Sequence, residues 1–148
     1  QIGQTLEDLE LEYCNFRTKS IQDLLTNCAH LTELNFSVHQ RVHSPNENVD
    51  WLLDPQIQAL VDNLTPTILK VNLGFQENLQ DEHVKKLVKR CNNITHLDLS
   101  MTSITNDSVH SIIEQLKTSL EKLNVCGTNV DFATLFELKS MILTSLFK

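Results

Sequence analysis

Three residues of the kind that build hydrolytic centres stand at alternate positions in the segment ITHLDLS: His96, Asp98 and Ser100. A nucleophilic hydroxyl needs a base within hydrogen-bond reach, and that base needs an orienting carboxylate. Alternation at every second residue is strand spacing, which sets the three in a row on one face, about 6.5–7 Å apart. That separation is too long for direct proton relay. His39 and His43 lie four apart with His30 nearby, and on a helix they would share a face able to hold a metal. The surrounding stretch, QRVHSPNENVDW, is polar and carries a proline, so no helix and no metal site are expected there. The cysteines at 14, 28, 91 and 126 form neither a C-x-x-C pair nor a zinc spacing, and their usage fits a reducing compartment. Lys89 and Arg90 adjoin Cys91, but periodicity turns that thiol inward, where it packs as a small hydrophobe. No glycine-rich phosphate loop is present. The residues point away from an enzyme, and no cofactor is expected.

The elements that position these residues repeat. LEDLEL from Leu6, LTELNF from Leu31, ILKVNL from Ile68, ITHLDL from Ile94 and LEKLNV from Leu120 share one pattern, at spacings of 25, 37, 26 and 26 residues. A further step of 26 reaches Leu146, where Thr144-Ser145-Leu146 repeats Thr118-Ser119-Leu120. After each of the first four segments comes a helical face at i, i+3, i+4 and i+7. These faces are Ile21, Leu24, Leu25 and Cys28; Ile57, Leu60, Val61 and Leu64; Val84, Leu87, Val88 and Cys91; and Val109, Ile112, Ile113 and Leu116. Asp54-Pro55 suggests an N-cap with proline at the first helical position, and Asp81 and Asn106 are candidate caps for the next two helices. In the fifth unit Leu135, Leu138 and Ile142 fit the pattern but Lys139 interrupts it, so a shorter or frayed helix is expected.

One strand–turn–helix unit cannot bury both of its apolar faces, whereas stacked units bury a continuous ladder. Leucine supplies it: there are 24 in 148 residues. Each buried leucine-sized side chain contributes roughly 1.5–3 kcal/mol. Helices are wider than strands, so the stack curves. The expected fold is an α/β leucine-rich-repeat solenoid, a horseshoe with a parallel sheet on its concave side and helices on its convex side. Residues 1–148 read as a single domain, a fragment of a longer solenoid, with repeats starting near 6, 31, 68, 94, 120 and 146.

The long second unit owes its length to an insertion near 40–51, ending at Trp51, the only tryptophan. Insertions in solenoids leave one face as loops, and tryptophan is enriched at binding hot spots. A surface loop and a partner-contacting loop anchored by Trp51 are both open readings. The basic run Lys85, Lys86, Lys89 and Arg90 reads as the solvated face of a helix. A net charge of −7 argues against nucleic acid, and no apolar stretch is long enough to span a membrane. The concave strand positions remain: Asp8, Glu10 and Glu12; Glu33, Asn35 and Ser37; Lys70, Asn72 and Gly74; His96, Asp98 and Ser100; Lys122, Asn124 and Cys126. Tyr13, Phe75 and Met101 follow the strands as large side chains. A polar field with a few such anchors suits protein recognition. The expected partner-binding set is Lys70, Asn72, Phe75, His96, Asp98, Ser100, Met101, Lys122, Asn124 and Trp51.

TNCAHLTELNFS (26–37), KRCNNITHLDLS (89–100) and ITNDSV (104–109) resemble the cysteine-containing leucine-rich repeats of F-box proteins. That resemblance implies the substrate-binding repeats of an SCF-type (cullin-RING) ubiquitin ligase, a non-catalytic receptor in the nucleus or cytoplasm. It implies a protein substrate on the concave face, a small accessory subunit, and an adaptor and cullin reached through an F-box outside these residues. The repeats depart from the family where a cysteine often follows the strand: His39, Gln76, Thr102 and Thr128 stand there, and only Cys14 fits. The alternative is a leucine-rich scaffold, regulatory or effector domain unrelated to ubiquitination.

Overall fold

Each L-x-x-L-x-L segment ends in a three-residue strand, and each helical face becomes a helix stacked behind it. In the computed structural model, which describes residues 5–11, 17–37 and 52–145, the elements alternate without exception. They are β1 (Asp8–Glu10), α1 (Thr18–Asn27), β2 (Glu33–Asn35), α2 (Asp54–Asn63), β3 (Lys70–Asn72), α3 (Asp81–Arg90), β4 (His96–Asp98), α4 (Asn106–Leu116), β5 (Lys122–Asn124) and α5 (Phe132–Ser145). The strands form one parallel sheet in the order β1-β2-β3-β4-β5. This is the leucine-rich-repeat fold expected from the periodicity.

Register follows the leucines. Leu9, Leu34, Val71, Leu97 and Leu123 align across the sheet and face the helices. A one-residue slip would turn this whole row to the concave side, so the pairing is strongly specified. Behind it Ile21, Leu60, Val84, Leu87, Ile94, Leu99, Ile104, Ile112 and Leu116 are fully buried in one continuous core. Cys28 and Cys91 are the C-cap residues of α1 and α3, buried as read from the periodicity.

The helix starts lie one residue before the expected caps: Leu53, Gln80 and Thr105 are the N-cap residues of α2, α3 and α4. Pro55 still falls within the first turn of α2, where its missing N–H costs nothing. Asp81 has a different task. Its carboxylate reaches the next repeat, accepting from the backbone N–H of Thr105 at 2.9 Å and of Ser108 at 3.2 Å, and from both hydroxyls. It thus caps the helix that follows its own. Asn106 and Asp131 repeat the device between α4 and α5.

The fifth helix is not shortened. It runs for 14 residues and is the longest of the five described. Its sequence is rich in Ala, Leu, Glu, Lys and Met, whose intrinsic helix propensity persists where the one-faced pattern lapses. Phe132 and Phe136 remain exposed on it.

Nearly all the extra length of the second unit lies in the strand-to-helix connection, residues 36–53, against 73–80 in the third unit and 99–105 in the fourth. The 40–51 insertion, with Trp51, His39 and His43, lies outside the described residues, as do Glu12, Tyr13, Cys14 and Leu146. Its two flanks are described. Gln76, 1% exposed, donates through Nε2 to the Phe36 carbonyl at 2.7 Å and accepts through Oε1 from the Leu52 N–H at 2.9 Å. Asn78 adds a bond to the Leu52 carbonyl at 2.9 Å. One buried carboxamide therefore ties the chain entering the insertion to the chain leaving it.

Candidate functional site

The concave sheet face is an open trough of about 710 Å³, lined by residues of all five strands. Outward positions form rows because the strands are in parallel register. The first row is Asp8, Glu33, Lys70, His96 and Lys122, and the second is Glu10, Asn35, Asn72, Asp98 and Asn124. Residues two further along, among them Ser37, Gly74, Ser100 and Cys126, close the strand ends.

The second row is largely occupied by the fold itself. Asn35, Asn72, Asp98 and Asn124 each accept the backbone N–H two residues on, from Ser37, Gly74, Ser100 and Cys126 at 3.1, 3.0, 2.9 and 3.2 Å. These side chains satisfy backbone donors that the short strands leave without a ladder partner. Asp98 is the most committed: Oδ1 also accepts the Ser100 hydroxyl at 2.6 Å, and Oδ2 accepts from Asn124 Nδ2 at 2.8 Å. Gly74 leaves room for this arrangement, since a Cβ there would sit 3.1 Å from Ser100 Oγ and 3.3 Å from Asp98 Oδ1.

His96, Asp98 and Ser100 thus share a strand face without forming a relay. The Ser100 hydroxyl gives its hydrogen to Asp98, and His96 Nδ1 pairs with Thr95 Oγ1 at 2.9 Å. The thiols are no better activated. Burial pushes Cys91 up to about 11, only partly opposed by Arg90, and burial likewise raises Cys28. Part of the basic run on α3 is engaged in the stack: Lys86 bonds Gln58 and Arg90 Nε bonds the Leu64 carbonyl at 2.6 Å, while Lys85 pairs with Glu82 on its own helix.

Of the expected partner-binding residues, Lys70, Asn72, His96, Asp98, Lys122 and Asn124 line the trough. Ser100 lies beneath it, 8% exposed. Phe75 and Met101 do not line it. They occupy the turn after their strands with left-handed backbone, φ 64° and 56°, at the repeat position held by Gly127 at φ 71°. Met101 Sδ packs over Gly127, 2.2 Å from where a Cβ would be. The trough also includes Asp8, Glu10, Glu33 and Glu121, which the expected set omitted. Their signal was the cross-strand register: once the five segments are aligned, the first row reads acid, acid, base, histidine, base. Lys70 is bonded to its neighbour in that row, Glu33 Oε1, at 2.6 Å.

Among known structures, the tropomodulin C-terminal domain of Caenorhabditis elegans superposes with a TM-score of 0.65 at 11% identity, over 97% of this chain and 91% of that one. The actin-binding site 2 fragment of leiomodin-1 superposes at 0.52 with 16% identity, over 90% of this chain and 93% of that one. At such identities the likeness concerns the fold. No family model matches the sequence.

These neighbours correct the F-box reading, including the resemblance of LLTNCAHLTELNFS and NLQDEHVKKLVKRCNNITHLDLS to the S-phase-kinase-associated member of that family. The physical reason is visible in the structure. Leu31, Leu34, Ile94, Leu97 and Leu99 are core-ladder residues, and Cys28 and Cys91 are buried helix ends. The shared letters are those that any stacked repeat of this length selects, so they report the fold and not a lineage. The adaptor, cullin and accessory subunit implied by that resemblance fall with it. Among the described residues, no helix is long and apolar enough to cross a membrane.

Proposed function

We propose that this chain is a non-catalytic protein-recognition module that takes its partner on the concave sheet face, as a scaffold, regulatory or effector domain without coupling to ubiquitination. The observation that carries the reading is the trough itself: an open face spanning five strands, with charged first-row side chains standing above a second row already hydrogen-bonded to its own backbone. The committed Ser100 hydroxyl and the unactivated buried thiols support a binding role over a chemical one. Cys28, Cys91 and Cys126 are free thiols, which suits a reducing, intracellular compartment. The leiomodin-1 fragment is named for an actin-binding site, which makes actin the first defined protein to assay.

Site-specific photo-crosslinking tests the proposal. A crosslinking residue at Lys122 in the trough is compared with one at Lys89 on the outer face of α3, first with purified actin and then in cell extract, with adducts identified by mass spectrometry. A discrete adduct at 122, competed by unlabelled protein and weakened by alanine at Lys70 and His96, is expected. Adducts formed at 89 and absent at 122 would move recognition to the convex side.

A further inference from the structure

The helices of the stack reach forward through one stripe of residues. With Ile57, Val84, Val109 and Leu135 aligned, the stripe begins at Asp54 in α2, Asp81 in α3, Asn106 in α4 and Phe132 in α5. One turn on it holds Gln58, Lys85, His110 and Phe136. In α2, α3 and α4 the stripe is polar and bonds to the unit that follows. Asp54 Oδ1 meets His83 Nε2 at 3.2 Å, and Gln58 Oε1 accepts from Lys86 Nζ at 2.6 Å. Asp81 caps α4, Lys85 Nζ lies 3.9 Å from Asp107 Oδ2, and Asn106 pairs with Asp131 just before α5. In α5 the stripe turns apolar. Phe132 and Phe136 are 82% and 65% exposed, the two most exposed large hydrophobic residues among those described.

A phenyl ring cannot form the forward hydrogen bonds that join the other units, so this face is not built for another unit of the same kind. Nor does charge guard it. The helix carries one carboxylate and one ammonium, Glu137 and Lys139, in a chain of net charge −7. The opposite end of the stack does not match it. Asp23 and Asn27 of α1 stand where Lys86 and Arg90 of α3 reach back to the preceding unit, and both are exposed. Head-to-tail stacking of copies would press the rings against Asp23 and strip its water. Leu53, Leu69 and Met101, the other exposed large hydrophobic residues described, stand on separate segments. The apolar helix stripe that matches α5 is therefore α5 of another copy.

We propose that two copies of this chain pair through α5, outer stripe against outer stripe, about a two-fold axis. Such a contact uses the same patch on both partners and closes at two. With the helices antiparallel and the axis midway between the rings, Phe132 of each copy faces Phe136 of the other. Offset or edge-to-face ring packing is favourable there. A buried aromatic side chain removes about 150–250 Å² from water, so four rings at these exposures bring roughly 600 Å². That is roughly half of the smallest standard interface, so the dimer is reversible, with a dissociation constant in the micromolar range. The pairing does not depend on what the concave face binds. With that face as a recognition surface, the dimer carries two of them and gains avidity for a repeated partner.

Sedimentation equilibrium of the 148-residue protein tests the pairing, from about 1 to 200 µM and at about 0.15 and 0.5 M salt. A reversible dimer, twice the 16.9 kDa of the chain, is expected. It should persist at the higher salt, because the contact is apolar. Phe136→Glu should weaken dimerisation at least about tenfold, since each substitution acts twice in a two-fold contact. Phe132→Ser, one turn away, should weaken it in the same direction. Leu53→Ser removes an exposed leucine elsewhere and should leave the dimer unchanged. Urea midpoints close to wild type show that each variant is folded, as exposed positions allow. A protein still monomeric at about 200 µM gives the α5 face to a different occupant and overturns the pairing. A mass that climbs past the dimer is head-to-tail stacking and overturns it too. So does a dimer that survives both phenylalanine substitutions.

Discussion

Replacing Gln76 with alanine removes one side chain and its two hydrogen bonds to buried backbone groups. The Gln76 carboxamide is buried, and both groups it serves belong to buried residues, Phe36 and Leu52. Water cannot readily replace it at such a site. Leaving a buried donor unpaired costs about 1–3 kcal/mol, so the Leu52 N–H alone predicts a loss of that size. That is a large part of the 5–15 kcal/mol typical of a folded domain. The equivalent residues in the next two repeats set the scale. Thr102 and Thr128 bond only the local carbonyls of Leu99 and Val125, at 2.6 and 2.7 Å. Thr102→Val should therefore cost about 1 kcal/mol. Urea unfolding of wild type, Gln76→Ala, Gln76→Glu and Thr102→Val measures these differences. Glutamate keeps the acceptor for the Leu52 N–H but sets a second oxygen against the Phe36 carbonyl. Its protonated form restores a donor, so its pKa in the folded state is raised. The Gln76→Glu protein should then match wild type best below the unfolded glutamate value of about 4.3 and lose ground as pH rises through the folded value. A Gln76→Ala protein within about 0.5 kcal/mol of wild type would refute the assignment of Gln76 as the clamp on the insertion's flanks.

Other perturbations read different parts of the stack. His83 is buried, accepts the Gln80 N–H through Nδ1 at 3.3 Å and faces Asp54 Oδ1 through Nε2 at 3.2 Å. Burial lowers its pKa, and Lys86 adds to the effect, while Asp54 and Glu82 oppose it. A folded value below the unfolded one of about 6.5 means that the stabilisation is complete above 6.5 and is lost as pH falls through the folded value. Urea midpoints between pH 7.5 and 5 should fall more steeply for wild type than for His83→Gln. Gly127→Ala meets both a positive φ and Met101 Sδ, so it should lower stability by about 1–2 kcal/mol in thermal or urea unfolding. Iodoacetamide at pH 8 should label exposed Cys126 in the folded protein and spare Cys91, whose thiol is buried and raised to about 11; peptide mass spectrometry reads the ratio.

The solenoid was legible because its determinants are local and repeated. Leu34, Leu97 and Leu123 occupy the same place in three segments, and a spacing that recurs can be read without knowing what touches what. Cys28 and Cys91 were placed correctly for the same reason. Two of the failures are interactions between repeats. Asp81 looks like the cap of its own helix, yet its carboxylate serves Thr105 and Ser108, 24 and 27 residues away. Gln76 looked like a position where a family cysteine is missing, and it bridges to residues 24 and 40 away. The polar members of the partner-binding set were read by strand alternation, which cannot tell a free side chain from one bonded to the backbone two residues on. That is why Asn72, Asp98 and Asn124 entered it on equal terms with Lys122.

That distinction separates two kinds of polar residue on one surface. Asn35, Asn72, Asp98 and Asn124 recur because each strand is only three residues long and its end needs an acceptor. Their identity is dictated by the fold, so substituting them should damage the sheet before it alters recognition. Asp8, Glu33, Lys70, His96 and Lys122 stand in register on the same face without a constant residue type, and no backbone requirement explains their charges. A repeat architecture holds constant what stacking demands and leaves variable what stacking does not use. The first row is where this chain departs from its own repeat, reading acid, acid, base, histidine, base from β1 to β5. If stability alone governed that row, the charges could be permuted among the strands with little effect on any measured property. Exchanging Asp8 and Lys122 in a double variant tests this: stability should hold within about 0.5 kcal/mol because both sites are exposed, while the affinity for a protein partner captured in the trough should fall.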